Sequence, residues 1–251
     1  MPQDLLTPLM LVGAGAVAGA INSIAGGGSL LTLPLLIFIG LPPTVANATN
    51  RIGVFVGGIG ATASFRRRGL IPLAWIKLGL PASLVGVALG TWAAMEIGDV
   101  AFERILAGVL VLAAALMIRR PVEPPTDGEA VPPTEHRLLL HAGFFGLGFY
   151  SGFIQAGVGF LFLALLSAAG LDLLRGNAVK VVMVLVLTIV SIPMFALGGM
   201  MEWVAGLTLA VGQYFGGILG VHLQVLKGQA WVRNFLTVTI VLFALRLFFG
   251  G

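Results

Sequence analysis

The chain has 251 residues, of which 58% are hydrophobic and only 10% are charged, and its mean hydropathy is +1.05. A soluble domain of this length needs more charge to cover its surface, so the composition excludes one and indicates helices that face lipid. The net charge of +4 lies in short clusters between apolar runs, which excludes a basic stripe for nucleic acid, and the absence of cysteine excludes disulfides and thiolate metal sites.

The first half of the chain contains five apolar stretches that are candidates for membrane segments. They lie near 5–25, 29–41, 44–65, 72–95 and 101–118. No Lys or Arg precedes the first stretch, which favours a retained helix, although Ala18 and Ala20 resemble the small residues of a signal-peptide cleavage site.

Residues 119–137 concentrate prolines and charges and predict an aqueous, cytoplasmic linker. This linker separates a first membrane repeat at 1–118 from a second membrane repeat at 138–251. The second half shows the same order of long and short apolar stretches as the first. Its stretches lie near 138–156, 159–171, 174–197, 202–223 and 231–249.

An internal repeat is indicated by a shift of 130 positions, which aligns residues 40–116 with the second half without a gap. Roughly one position in five is identical, against roughly one in twelve expected from this composition. Any two runs of apolar helices align somewhere, but gap-free spacing is hard to obtain by chance. The matched pairs are Gly40 with Gly170, Asn47 with Asn177, Phe65 with Phe195, Gly69 with Gly199, Gly86 with Gly216, Gly90 with Gly220, and Gly98 with Gly228.

Loop charges indicate how the two halves insert. The triple arginine at 66–68 predicts a cytoplasmic loop, because Lys and Arg accumulate on that side. The corresponding loop at 198–202 has neither, whereas the counterpart of the acidic loop at 96–104 carries Lys227 and Arg233. We therefore expect an all-α polytopic membrane protein with two inverted-topology repeats of about five segments each, short discontinuous helices near the centre, and both termini outside.

The stretch at 29–41 is too short to span a bilayer, because its length of about 20 Å compares with about 30 Å of hydrocarbon. Glycine-rich sequences precede it at 25–28 and precede its counterpart at 156–159. Paired interruptions of this kind are typical of discontinuous helices at a transport site. Close helix packing is the alternative explanation for these glycines.

Amide and cationic side chains occupy corresponding positions early in the third segment of each half. Asn47, Asn50 and Arg51 lie in the first half, and Asn177 and Lys180 lie in the second. Amides and a cation beside the free N–H groups of a loosened helix end suit a desolvated anion; the alternative is that both cations extend to lipid headgroups. The predicted substrate-binding residues are Gly26, Gly27, Gly28, Ser29, Asn47, Asn50, Arg51, Gln155, Gly157, Gly159, Asn177 and Lys180.

Two blocks of the sequence carry a resemblance to a known family. They are GAINSIAGGGSLLTLPLLIFIGLPPTVANATNRIGVFVGGIGATASFRRRG at 19–69 and the weaker copy GFIQAGVGFLFLALLSAAGLDLLRGNAVKVV at 152–182. The sequence resembles the sulfite exporter TauE/SafE family of membrane transporters over the whole chain. The resemblance implies export or exchange of small sulfur-containing anions such as sulfite or organosulfonates. The second copy lacks the triple glycine and the Pro-Pro pair, so the two halves need not contribute equally to a site.

Other functional classes have less support. His136, His141 and His222 form no catalytic or metal-binding motif, so we expect no enzyme, cofactor or metal. A carrier with alternating access is favoured over an anion channel or a non-transporting scaffold, because an inverted repeat supplies two related conformations. The expected partners are a small anion and the lipid of the cell inner membrane, with no nucleic acid; a homo-oligomer is compatible with the sequence. Acidic residues lie at predicted segment ends or in the linker and not within predicted membrane segments, which leaves the coupling ion open.

Overall fold

A computed structural model describes residues 6–108, 132–133 and 137–249. The regular secondary structure of these residues is helical. The helices are α1 (Leu6–Ile24), α2 (Ser29–Phe38), α3 (Pro43–Arg67), α4 (Leu73–Glu96), α5 (99–108), α6 (Arg137–Phe153), α7 (Val158–Ala168), α8 (Leu173–Leu197) and α9 (Trp203–Phe249). The predicted linker lies largely outside the described residues, as does the predicted fifth segment beyond residue 108.

The predicted segments agree with the helices to within a few residues from α1 to α4 and from α6 to α8. Four helices within the described ranges are long and apolar enough to cross a membrane, namely α1, α4, α8 and the part of α9 at Trp203–Lys227. The two short apolar helices are α2 and α7, as the sequence predicted. The protein is therefore an all-α membrane protein.

The end of the chain differs from the prediction. The expected segments at 202–223 and 231–249 form the single helix α9, which has 47 residues and extends about 70 Å. The intervening residues 224–230 include Lys227 and Gly228 but no proline, and a lone glycine costs a helix only about 1 kcal/mol. The polar residues of this stretch lower its hydropathy but do not break the helix. The second half therefore has four described helices where five segments were predicted.

Glycines bring α1 close to α9 and α4 close to α6. A Cβ atom added to Gly19 would overlap the backbone of Gln213 in α9, and one added to Gly90 would overlap the carbonyl of Phe149 in α6. Helices approach this closely only where side chains are absent, as in small-residue packing between membrane helices. The first helix of each half thus packs on the fourth helix of the other half.

Helices α3 and α8 run antiparallel through the centre. Phe65, near the end of α3, shares a buried cluster with Ala178 near the start of α8. Phe195, near the end of α8, shares another with Ala48 near the start of α3. The shift of 130 positions pairs Ala48 with Ala178 and Phe65 with Phe195, so it converts one of these contacts into the other.

Matched glycines also adopt matching conformations. Gly40 and Gly170, which follow the short helices, have φ angles of +101° and +92°. The amide of the next residue then donates to a carbonyl five residues back, at 3.1 Å for Leu41 and 3.0 Å for Leu171. A left-handed residue is the usual end of a helix, and glycine adopts it without steric cost.

Candidate functional site

Two interrupted turns lie at the centre of the fold, one between α1 and α2 and one between α6 and α7. Gly26 and Gln155 occupy equivalent places in them, with φ angles of +85° and +63°. Their amides donate to the carbonyls of Ile21 and Tyr150, at 3.0 and 3.2 Å. A left-handed glutamine is uncommon, and such backbone strain is concentrated at functional sites.

The glycines of these turns differ in what surrounds them. A Cβ atom on Gly26 would overlap the Cα of Gly159, so the two turns touch through their backbones. A Cβ on Gly28 would overlap the carbonyl oxygen of Ala18, and one on Gly27 would lie 2.6 Å from the Phe160 ring. Gly157 is left-handed, with a φ of +70°, and has ordinary space around it.

A cavity of about 40 Å³ lies beside the two turns and is lined by residues of α1, α2, α3, α7, α8 and α9. It has room for about three water-sized groups. Five predicted site residues line it: Gly26, Ser29, Gln155, Gly159 and Lys180. Three polar residues that the sequence analysis did not single out also line it: Asn22, Ser23 and Gln213.

Lys180 places an ammonium group in the wall of this cavity. Its Nζ donates to the carbonyl of Asn22 at 2.8 Å and to Oδ1 of Asn177 at 2.7 Å, and it lies 3.4 Å from the carbonyl of Ser23. The residue is only 2% exposed, so it does not extend to a lipid headgroup. Among the described residues the salt bridge is between Arg175 and Asp172, so no carboxylate balances the lysine.

Arg51 makes the corresponding contact on the other side of the fold but does not line the cavity. Its guanidinium nitrogens donate to the carbonyls of Ser151 at 2.8 Å and Gly152 at 2.6 Å, and to Oγ of Ser191 at 3.1 Å. The guanidinium carbon lies 4.8 Å from the centre of the Phe195 ring. Arg51 is fully buried, so it also stays away from a headgroup.

Each cation therefore binds carbonyls in the last turn of the other half's first helix, where the helix dipole is negative. We call these two arrangements the carbonyl clamps: Arg51 on Ser151 and Gly152, and Lys180 on Asn22 and Ser23. The clamps are not equal, because the residues of the lysine clamp line the cavity beside the turns and those of the arginine clamp do not.

The three predicted asparagines connect helices outside the cavity lining. Asn50 accepts from Thr32 at 2.6 Å and donates to Ser29 at 3.0 Å, which holds α2 against α3. Asn47 donates to the carbonyl of Phe153 at 2.8 Å, and Asn177 donates to Gln224 at 3.0 Å. Their side-chain groups are largely used by hydrogen bonds to neighbouring helices.

Three cavity residues have polar atoms without partners. Asn22 Oδ1 accepts from the amide of Gly28 at 2.8 Å, which leaves Nδ2 unbonded. Gln155 Nε2 donates to Thr188 at 3.1 Å, which leaves Oε1 unbonded, and neither polar atom of Gln213 has a partner. Buried polar groups are nearly always bonded, so these unpaired atoms call for a polar occupant such as ordered water or a ligand; Asn47 Oδ1 and Arg51 Nε, outside the cavity lining, are also unpaired.

One sequence signal could have identified Gln213 in advance. It is the amide side chain within the glycine-spaced run of Gly212, Gly216 and Gly220, and polar residues inside membrane segments are costly unless they serve a site. Asn22 lies one helical turn before the triple glycine, where a polar group capping the break is expected. Within the described residues no group of three His, Asp or Glu side chains could hold a metal ion.

The chain is similar to known membrane transporter proteins. The family model described as Sulfite exporter TauE/SafE matches residues 11–247. A "Probable membrane transporter protein" of Haemophilus influenzae is 33% identical over 237 residues, which cover 92% of this chain and 89% of the relative. "Probable membrane transporter protein YfcA" of Escherichia coli K12 is 29% identical over 236 residues, covering 94% and 87%.

A further relative, "Probable membrane transporter protein ORF9" of a Sinorhizobium species, is 30% identical over 252 residues, covering 98% of this chain and 94% of the relative. No solved structure shows a significant match to the chain. The residues that the family model matches run through both halves of the chain, from within α1 into α9. The chain is therefore a member of the sulfite exporter TauE/SafE family of membrane transporters.

Proposed function

We propose that the protein is a secondary carrier that moves a small sulfur oxyanion, such as sulfite or a compact organosulfonate, across the cell inner membrane by alternating access. The anion binds in the cavity beside Lys180. The observation that carries the proposal is a buried ammonium group, without a carboxylate partner, in the wall of a cavity that also has unpaired hydrogen-bond donors.

Charge supports an anion as the substrate. A buried charge without a counter-ion is costly, and an anion entering the cavity would supply the missing counter-charge. Asn22 Nδ2 and Gln213 Nε2 are donors without acceptors, and they would bond to oxyanion oxygens. The family description names a sulfite exporter, which supports a sulfur oxyanion among the small anions.

Alternating access is supported by the exchanged contacts of the two halves. The first helix of each half packs on the fourth helix of the other, and each half supplies a cation to the other's first helix. Two inverted repeats with such exchanged contacts have two near-equivalent arrangements, in which a central site opens to one side and then to the other.

Transport assays with purified protein in proteoliposomes test this proposal. We expect saturable sulfite uptake with counterflow, and a loss of roughly 30-fold or more in sulfite affinity in Lys180→Gln, because the anion would lose its compensating charge. Lys77→Gln is the matched control, since Lys77 is exposed on α4, far along the chain from the cavity residues.

The outcomes separate the candidate functions. Uptake that rises linearly with concentration and shows no counterflow would indicate a channel. Sulfite affinity within threefold of the parent in Lys180→Gln, with equal monodispersity, would rule out the cavity as the anion site.

A further inference from the structure

The cavity contains acceptors as well as donors, and this bears on the protonation state of its ligand. A fully deprotonated oxyanion can only accept hydrogen bonds, so it satisfies donors and leaves acceptors unpaired. Here Gln155 Oε1 and Gln213 Oε1 are acceptors without donors, in residues that are 2% and 1% exposed.

The orientation of the Gln155 amide is fixed by its neighbours. The hydroxyl of Thr188 donates to the carbonyl of Val184 at 2.6 Å, so its oxygen is left to accept the bond from Gln155. Only the amide nitrogen of Gln155 can donate that bond, and Oε1 must therefore be the unpaired atom. The same reasoning fixes Asn22, whose Oδ1 is held by the Gly28 amide and whose Nδ2 is the free donor.

Gln213 presents both kinds of atom whichever way its amide is turned. The cavity residues thus offer an ammonium group, free amide N–H groups and free amide oxygens within about 40 Å³. The small volume of the cavity favours a compact oxyanion.

We infer that the ligand of this cavity is a compact monovalent oxyanion that keeps one O–H group, such as hydrogen sulfite. The amide oxygen of Gln155 accepts a hydrogen bond from that O–H group. The inference rests on the proposed function and specifies it further. The anion's remaining oxygens accept from Lys180, Asn22 and Gln213, and its hydroxyl donates to Gln155.

Competition against radiolabelled sulfite, at a mildly acidic pH where hydrogen sulfite predominates, tests this inference. The competitors are hydrogen selenite and chlorate, both pyramidal monoanions of three oxygens, of which only hydrogen selenite carries an O–H group. We expect hydrogen sulfite and hydrogen selenite to bind about 10-fold or more tightly than chlorate, because chlorate leaves the Gln155 oxygen desolvated and unpaired.

Two variants test separately how the charge and the O–H group of the anion contribute to binding. Lys180→Gln should weaken all three anions and preserve their order, since each carries the same charge. Gln155→Met should bring hydrogen sulfite and hydrogen selenite down to the affinity of chlorate, since the amide acceptor is gone. The comparison of anions on the parent protein stands by itself if either variant fails to fold.

The results distinguish this inference from the proposed function. Equal affinities for chlorate and hydrogen selenite in the parent, both reduced in Lys180→Gln, would overturn the O–H inference and leave the anion site in place. Binding of none of the three anions would overturn both, and the cavity would then be a site for ordered water.

Discussion

Lys180 and Arg51 are both buried inside the protein, yet their surroundings give them different roles. Arg51 donates to the carbonyls of Ser151 and Gly152 at the end of α6 and to the hydroxyl of Ser191 in α8. Lys180 has similar carbonyl partners but also borders free space. We therefore assign Arg51 to the stability of the fold and Lys180 to the substrate.

This assignment predicts the behaviour of Arg51→Gln. Loss of the guanidinium leaves the carbonyls of Ser151 and Gly152 without their charged donor, which should lower the free energy of unfolding by roughly 2–4 kcal/mol. The sulfite affinity of the folded protein should stay within about threefold of the parent. Thermal unfolding in detergent, followed by intrinsic fluorescence, measures the first effect, and sulfite binding measures the second. Arg66→Gln, an exposed change on the same helix, is the control. Unchanged thermal stability together with lost binding would contradict the assignment.

The residues that sequence alone could identify are those whose pattern repeats. The shift of 130 positions pairs Asn47 with Asn177. It also brings the two clamp cations, Arg51 and Lys180, within one position of each other, so the sequence identified all four residues. Gln213 was missed because its counterpart under the shift is Ser83. The hydroxyl of Ser83 donates to the carbonyl of Phe144, so it is not a free polar group comparable to Gln213. Asymmetry between the halves is therefore the part of the site that a repeat cannot predict.

At the scale of helices, the interrupted turns were predicted from short apolar stretches flanked by glycine, and α2 and α7 lie where expected. The triple glycine, however, is not uniform. Gly26 requires a left-handed backbone and touches Gly159, whereas Gly27 lies against a ring that can rotate. Sequence showed three equivalent glycines, and only the packing distinguishes them.

We predict that Gly26→Ala damages the protein more than Gly27→Ala. A Cβ at Gly26 meets backbone that cannot move alone, and a left-handed alanine adds about 1 kcal/mol or more of strain. Gly146→Ala in α6 is the control, since nothing lies within 4 Å of its Cβ position and alanine favours helix. The monodisperse fraction by size-exclusion chromatography should fall in the order Gly146→Ala, Gly27→Ala, Gly26→Ala. A Gly26→Ala protein as well behaved as the control would show that the two turns are not in tight contact.

For the whole molecule, the composition and the repeat predicted a polytopic helical protein, while the number of segments in the second half was wrong because α9 continues through a polar stretch. Hydropathy detects where a helix leaves lipid and not where it ends. The opposite insertion of the two halves stays a prediction, supported by the exchanged packing of α1 on α9 and α4 on α6.

Cysteine labelling tests the opposite insertion directly, because the chain has no cysteine of its own. Gly69 and Gly199 form a matched pair, with φ angles of +66° and +67° and open space around both, so substitution strains them equally. We expect an impermeant maleimide to label Gly69→Cys from the cytoplasmic side and Gly199→Cys from the opposite side. Labelling of both from one side would exclude inverted repeats.

The buried lysine without a carboxylate also gives the transport cycle an electrical character. Binding of a monovalent anion lowers the charge that the moving site carries by one, so the membrane potential acts differently on the loaded and the empty carrier. A full charge crossing the membrane corresponds to about 2.3 kcal/mol per 100 mV. If the loaded site is neutral, exchange of one monoanion for another is electrically silent, whereas the return of the empty site produces a current. Recordings from proteoliposomes adsorbed on a conducting support would detect that current during net sulfite flux, and an equal current during exchange would contradict this account.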